Sequence, residues 1–264
     1  MKRLHWFELE DFDWLPASIR DGGTDFLDFA FDHLGFYSGV ADVLVNRIRR
    51  TCTTRVLDLA SGGGGGTLQL RRYVRAAGLT TEFVFSDRYP SEAGSARVQA
   101  LADPATRYSV DPVDAMAGGG QQPGLRTMSG ALHHFQPAAI RQIVEHIVTQ
   151  RAPLAFFDVA ASPAMRRLPV LVLPAAMTLN MILLFVATLL VVPFLRPLRL
   201  SRLLLTYVLP AIPLLVAWDG TVSALRAYSP EELLALVRSV PRFDTYDWEA
   251  GTAGRALYLT GVPR

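Results

Sequence analysis

Cysteine is almost absent from this chain. Cys52 is the single one among 264 residues, which excludes intramolecular disulfides and any cysteine-rich metal site and is compatible with a reducing compartment. No metal site is expected. Charge is also sparse: 19% of residues are charged, the net charge is +2, and the basic residues do not gather into a stripe interleaved with aromatics. A nucleic-acid partner is therefore not expected. The segment from Met1 to Phe12 mixes acids and aromatics without a basic region followed by an apolar core, so it does not read as a signal peptide. The sharpest absence lies further on, where the 28 residues from Leu168 to Leu195 carry no charged side chain at all.

Apolar side chains are what the chain has in excess. Half of the residues are hydrophobic and the mean hydropathy is +0.24, so some apolar surface is expected to face something other than water. A chain of this length buries one full α/β core without requiring a second domain. The first 50 residues read as amphipathic helix, with Phe26, Leu27, Phe29, Ala30, Leu34, Val40, Val43 and Leu44 near helical spacing. From Arg55 the pattern changes to short β-rich runs alternating with helical stretches, the mark of βαβ units. Strands are predicted at Arg55–Leu59, Glu82–Ser86, Arg107–Val110, Leu125–Ser129 and Leu154–Asp158. A helix is predicted over Pro137–Gln150, and another begins at the capping box Ser229-Pro230-Glu231-Glu232. The tail, Arg242–Glu249 and Arg255–Val262, reads as a closing hairpin.

The buried strand Val56-Leu57-Asp58-Leu59 runs directly into Ala60-Ser61-Gly62-Gly63-Gly64-Gly65-Gly66. Glycine there permits a sharp turn and a close approach of backbone to a ligand. Asp58 places a carboxylate beside that cradle, where a dinucleotide pyrophosphate would be repelled and a sulfonium would not. The nicotinamide fingerprint also requires a third glycine where Thr67 stands. These residues resemble motif I of the class I S-adenosylmethionine (SAM) methyltransferases, with Asp58, Ala60, Gly62 and Gly64 on its alternation and Ala60 in place of its first glycine.

That resemblance spans roughly residues 50–160 and, more weakly, 229–262. It implies an α/β fold with a doubly wound, mainly parallel seven-stranded sheet and SAM as the cofactor, held at Asp58, Ala60, Ser61, Gly62 and Gly64. It further implies that Asp87, after Phe83-Val84-Phe85-Ser86, binds the ribose hydroxyls, and that Asp114, with Asp111 competing, meets the adenine amino group. The stretch from Thr127 to Phe135 resembles the motif that closes the pocket and contributes Ser129. His133 and His134 are candidates for a general base near the transferred methyl, since imidazole titrates near neutral pH.

The apolar stretch adds a membrane to the picture. As a helix, Leu168–Leu195 would span about 42 Å at ~1.5 Å per residue, against a hydrocarbon core of ~30 Å. A second uncharged run of 16 residues, Leu203–Trp218, would reach about 24 Å. The flanking segments are expected to build one sheet, so the number of crossings must be even. A two-helix hairpin meets that condition but exports Arg196, Arg199 and Arg202, against the tendency of basic residues to stay cytoplasmic. A re-entrant or interfacial pair keeps them, with Arg166 and Arg167, near headgroups. Prolines at 169, 174, 193, 197, 210 and 213 favour broken, shallow helices, and an inserted apolar helical hairpin, embedded in the membrane to a depth left open, is expected. Asp219 and Arg226, where the chain returns, are candidates to line the acceptor site.

Three parts are thus expected: an N-terminal helical cap (1–50), a SAM-binding domain (51–165 and 219–264) and a membrane-associated apolar insertion (166–218). The expected activity is transfer of methyl from SAM to an apolar small-molecule or lipid acceptor, at the membrane lipid bilayer, with the catalytic domain on the cytoplasmic face. The alternative is a SAM-binding scaffold docked on the membrane that transfers nothing.

Overall fold

The computed structural model describes residues 3–159, 165 and 168–264. Arg166 and Arg167, two of the arginines expected near headgroups, lie outside the described residues. The chain divides into two compact units, residues 1–34 with 160–227 and residues 35–159 with 228–264. The expected partition placed its boundaries at 50, 165 and 219. Each unit is described by itself.

The second unit is built on one seven-stranded sheet in the order β3-β2-β1-β4-β5-β7-β6. Its strands are β1 (Arg55–Asp58), β2 (Glu82–Phe85), β3 (Thr106–Tyr108), β4 (Leu125–Ser129), β5 (Leu154–Asp158), β6 (Tyr246–Ala253) and β7 (Ala256–Pro263). The expectation of a mainly parallel sheet is corrected to a mixed one. β1 to β5 pair in parallel, whereas β7 lies antiparallel to both β5 and β6. A tight turn at Gly254 joins β6 to β7, and a hairpin can only pair antiparallel. The helices of this unit are α2 (Ser38–Thr51), α3 (Gly65–Ala76), α4 (Glu92–Gln99), α5 (Pro137–Thr149) and α9 (Pro230–Arg238).

Side-chain alternation splits the sheet between two apolar layers. Leu57, Val84, Met128, Leu154 and Phe156 join Ile140, Ile143, Val144 and Ile147 of α5 and Leu233 and Val237 of α9 in one buried cluster. Their neighbours in sequence, Val56, Phe83, Phe85, Ala155 and Phe157, are equally buried on the other face. Helix α9 starts where the capping box places it, with Ser229 accepting from the Glu232 amide and Glu232 from the Ser229 amide.

The first unit is helical: a short 3-10 turn at Leu9–Asp11, then α1 (Ala17–Leu34), α6 (Leu173–Val191), α7 (Leu200–Tyr207) and α8 (Ala211–Arg226). Phe26, Val192, Leu195, Ile212 and Val216 form its core. Close helix packing depends on glycine here. A Cβ on Gly22 of α1 would lie 2.3 Å from Ile212 Cδ1, and one on Gly220 of α8 would lie 2.8 Å from Leu184 of α6.

Several polar side chains in this unit are bonded within it. Asn180 Nδ2 donates to Thr221 Oγ1 at 2.8 Å, and Thr188 Oγ1 donates to the Leu184 carbonyl at 2.8 Å. Buried Arg202 meets Asp25 at 2.5 Å and donates to the carbonyls of Leu195 and Pro197. Leu179, Ile182, Leu183, Val186 and Leu190 of α6 remain exposed. Only 11% of the 18-residue apolar window in the 22-residue stretch Leu173–Phe194 is buried, and that stretch is long and apolar enough to cross a membrane. At ~1.5 Å per residue it reaches about 33 Å. Helices α7 and α8 meet the same length and composition criteria only together and are bent by 72° at their junction. The apolar insertion thus holds one long apolar helix and one broken pair, with Pro210 at the break.

Candidate functional site

Parallel strands deliver their last residues to one edge of the sheet, and in the second unit that edge gathers most of the predicted residues. Asp58 ends β1, Ser129 ends β4, Asp158 ends β5, and Asp87 follows β2 by two residues. Asp58 sits in register with Phe85 and Thr127 on the flanking strands.

Asp58 is 1% exposed. Its Oδ1 accepts from Thr127 Oγ1 and its Oδ2 from Ser61 Oγ, both at 2.7 Å. Burial pushes its carboxyl up to about 6, against the hydroxyl hydrogen bonds that favour the ionised form. The carboxylate therefore sits under the loop and anchors it. Ser61 completes that anchor, since its amide donates to the Ser86 carbonyl at 2.9 Å and its hydroxyl accepts from the Ser86 amide at 3.0 Å.

The glycine run divides its labour. Gly62 and Gly64 adopt left-handed φ of +48° and +88°, which glycine reaches without steric penalty. Ala60 sits in the same region at +55°, so the position that departs from the motif is a strained one. A Cβ on Gly62 would meet nothing within 4 Å, whereas one on Gly66 would lie 2.6 Å from the Tyr37 ring. The first opens the loop toward solvent; the second lets α3 approach Tyr37.

Asp87 is drawn into the loop directly. Its Oδ2 accepts from the Gly62 amide at 2.8 Å and its Oδ1 from the Tyr89 amide at 2.9 Å. Tyr108 Oη donates to the Gly62 carbonyl at 2.8 Å, and burial raises that phenol to about 12, keeping it a donor. Ser129 Oγ accepts from Thr67 Oγ1 at 2.8 Å, which ties α3 to the end of β4. Asp114 is exposed and caps the 3-10 turn Ala115–Ala117, accepting from the Met116 amide at 2.8 Å. Asp111 is exposed as well.

His133 is buried in the turn that follows β4. Its amide donates to Asp158 Oδ2 at 2.9 Å, and its Nδ1 lies 3.1 Å and 3.0 Å from the two Asp158 oxygens. His134 packs its ring 4.2 Å from that of His133. Thr127, Tyr108 and Asp158 thus complete the cluster beyond the residues picked from the sequence. Asp158 was detectable in principle as an acid at a strand's carboxyl end, but its pairing with His133 follows from β4 and β5 lying side by side.

Asp219 and Arg226 have other work, inside the first unit. Asp219 accepts from the Leu9 and Glu10 amides at 2.7 and 3.1 Å. Arg226 pairs with Glu8 at 3.3 Å and Asp11 at 2.5 Å. Loss of solvent, then Asp219 and Glu8 nearby, push the Glu10 carboxyl up to about 8.

No protein-family model matches the sequence, and no curated protein sequence is similar to it. Solved structures are. An O-methyltransferase family protein from Burkholderia thailandensis superposes with a TM-score of 0.50 at 16% identity, over 90% of this chain and 58% of its own. Human N-acetylserotonin methyltransferase in complex with SAM gives 0.51 at 11% identity, over 95% and 59%. The plantazolicin methyltransferase BpumL in complex with SAH gives 0.53 at 10% identity, over 96% and 91%. This chain therefore has the fold of methyltransferase structures and spans less than two thirds of the length of the first two.

Proposed function

We propose that this protein is a membrane-associated methyltransferase that transfers a methyl group from SAM to an apolar or lipid-like acceptor. The observation that carries the reading is the loop 60–64 held open between two carboxylates, the buried Asp58 beneath it and Asp87 at its rim. The residues fit the donor. Gly62 leaves open space above the loop, and each Asp87 oxygen accepts one amide hydrogen, which leaves lone pairs for a pair of vicinal hydroxyls. Asp114 and Ser129 flank the same strand ends and would complete the pocket. When bound, SAM supplies a sulfonium whose methyl carbon is electrophilic, so orienting the acceptor provides much of the rate.

His133 is the base this site offers. With the proton on Nδ1 directed to Asp158, Nε2 is the basic nitrogen, and the Asp158 carboxylate stabilises the imidazolium formed when Nε2 takes a proton from an acceptor hydroxyl. A carboxylate behind the imidazole also fixes the ring. Support for an apolar acceptor comes from connectivity and composition: the chain leaves the sheet at Asp158, and the insertion that follows carries Leu173–Phe194 with its outer side chains uncovered. The side-chain donors Thr178, Asn180 and Thr188 on that helix each find an acceptor within the unit, which suits a hydrocarbon environment.

Membranes containing the full-length protein, incubated with methyl-labelled SAM and then extracted with organic solvent, test this. Label should enter the lipid extract, disappear with Asp87→Ala together with SAM binding, and disappear with His133→Ala while SAM binding persists. Bound SAM without transferred label would turn the reading into that of a docked scaffold, and absence of SAM binding would end it.

A further inference from the structure

At the opposite edge of the sheet from the loop, the second unit has an open cleft of about 490 Å³. Pro153 just before β5 and Pro263 at the end of antiparallel β7 both line it, which fixes it at the amino-terminal ends of the parallel strands. Its charged lining is entirely basic. Arg50, Arg126 and Arg151 face it with Gln121, Gln122 and Gln150, and no Asp or Glu is among the lining residues.

Arg126 is the unusual member. It is 1% exposed, yet its guanidinium donates only to neutral oxygens: Nε to the Gly118 carbonyl at 2.9 Å, Nη1 to Gly124 at 2.8 Å, and Nη2 to Gly120 at 3.3 Å and Gln150 Oε1 at 2.9 Å. Among the described residues no carboxylate lies within ion-pair distance of it, nor of Arg151. Carbonyl dipoles satisfy hydrogen bonds but leave the net charge in place, and a buried cation without a counter-charge is costly. Burial accordingly draws the Arg126 guanidinium below its ordinary range, though it stays protonated. The loop that supplies these carbonyls turns through left-handed glycines at 118, 119, 120 and 124. That wrapping orients the guanidinium and leaves one of its five N–H groups outside the four bonds made.

We propose that this cleft binds a phosphate-bearing anion. Arg126 offers its remaining N–H and its charge, Arg50 and Arg151 offer guanidinium groups that suit phosphate oxygens, the amides of Gln121 and Gln122 add neutral donors, and the volume suits a small molecule. Arg50, which also pairs with Asp247, and Arg151 line the site with the fixed charge of Arg126. The anion supplies the counter-charge that the fold withholds, so its binding stabilises the sheet unit from the edge remote from Asp58. The site is independent of the methyl-transfer reading.

The test is calorimetric titration of the purified full-length protein with inorganic pyrophosphate, with SAH in excess and sodium chloride matched for ionic strength. Saturable one-to-one binding is expected, weakened about tenfold or more by the Arg50→Gln, Arg151→Gln pair, which leaves Arg126 and its loop intact. Competition by glycerol 3-phosphate assigns the natural ligand to a dissolved phosphate. Competition by phosphatidate vesicles alone assigns it to a headgroup. In the unaltered protein, pyrophosphate should also protect Arg151 from phenylglyoxal, a readout that needs no variant. Heats that never saturate, equal affinity in the double variant, unprotected Arg151 or tighter binding of citrate than of pyrophosphate would each overturn the proposal.

Discussion

Two arginines of the helical unit and two charged side chains of the sheet unit handle burial in opposite ways. In the helical unit Arg202 meets Asp25, and Arg226 meets Glu8 and Asp11, so cation and anion are brought together within the unit. In the sheet unit Asp58 is surrounded by hydroxyls and Arg126 by carbonyls, so hydrogen bonds are made while the net charge stays uncancelled. If the helical unit meets a bilayer as proposed, pairing suits it, because hydrocarbon supplies no counter-charge. Leaving charge uncancelled suits the two proposed ligand sites, where an incoming charged ligand would provide the missing partner.

The largest test of that contrast is to break a pair in the helical unit. Asp25→Ala strands Arg202 with backbone carbonyls alone, and removal of one partner from a buried pair costs about 3–5 kcal/mol. Thermal unfolding in detergent should register it, while Asp25→Glu should restore most of the loss. Retention of the parent's midpoint by Asp25→Ala would show that Arg202 reaches water, and the contrast between the units would fail. Next in size is Gly22→Ala, whose new Cβ falls 2.3 Å from Ile212 Cδ1. Overpacking of this kind costs about 1–3 kcal/mol, and the same change on an Ile212→Val background, which lacks Cδ1, should cost less if the contact itself is the cause.

In the sheet unit the matching experiment removes charge while keeping shape. Asp58→Asn preserves the bonds to Ser61 and Thr127, whose hydroxyls both donate and accept. SAM carries a positive sulfur and SAH a neutral one, so the variant should bind SAM about tenfold more weakly, ~1.4 kcal/mol, with SAH unchanged. Stability should move the other way. The folded state raises the Asp58 carboxyl to about 6, so it holds a proton that the unfolded chain has already released between pH ~4 and ~6. Its contribution is therefore greatest below that window and is lost as pH rises through about 6. The Asn variant should lack this slope in urea midpoints measured from pH 4 to 8. Equal weakening of SAM and SAH would mean that Asp58 acts through loop geometry alone.

Much of this was legible in sequence because strand ends announce themselves. The predicted β4 and β5 coincide with the observed strands, and Asp58, Asp87, Ser129 and His133 all fall at one sheet edge. What escaped depends on register across strands. Thr127 reaches Asp58 only because β4 pairs beside β1, and Asp158 reaches His133 only because β5 pairs beside β4. The mixed character of the sheet arises the same way, from a terminal hairpin that inserts β7 between β5 and β6. Strand β6 also begins at Tyr246 instead of Arg242, since residues 243–245 close a 3-10 turn first. Asp219 and Arg226 stood out as charges in an apolar stretch, but their bonds to the N-terminal segment were not legible there, because they join residues more than 200 apart in the chain.

The smallest effect concerns Ala60, the one residue of the loop that departs from the glycine alternation. Its φ of +55° places a Cβ against the following carbonyl, a penalty of roughly 1–2 kcal/mol for an L-residue. Glycine removes that penalty but loses about 0.5–1 kcal/mol through the freedom of the unfolded chain. Ala60→Gly should therefore be more stable by about 0.5–1 kcal/mol, seen as a higher urea midpoint, with SAM affinity preserved. A lower midpoint would show that the Ala60 methyl makes packing contacts worth more than the strain it carries. Strain held at a loop that must keep its shape for a ligand is expected only where neighbours over-determine the conformation. Here those neighbours are the Ser61 bonds to Asp58 and Ser86, which fix the chain one residue further on.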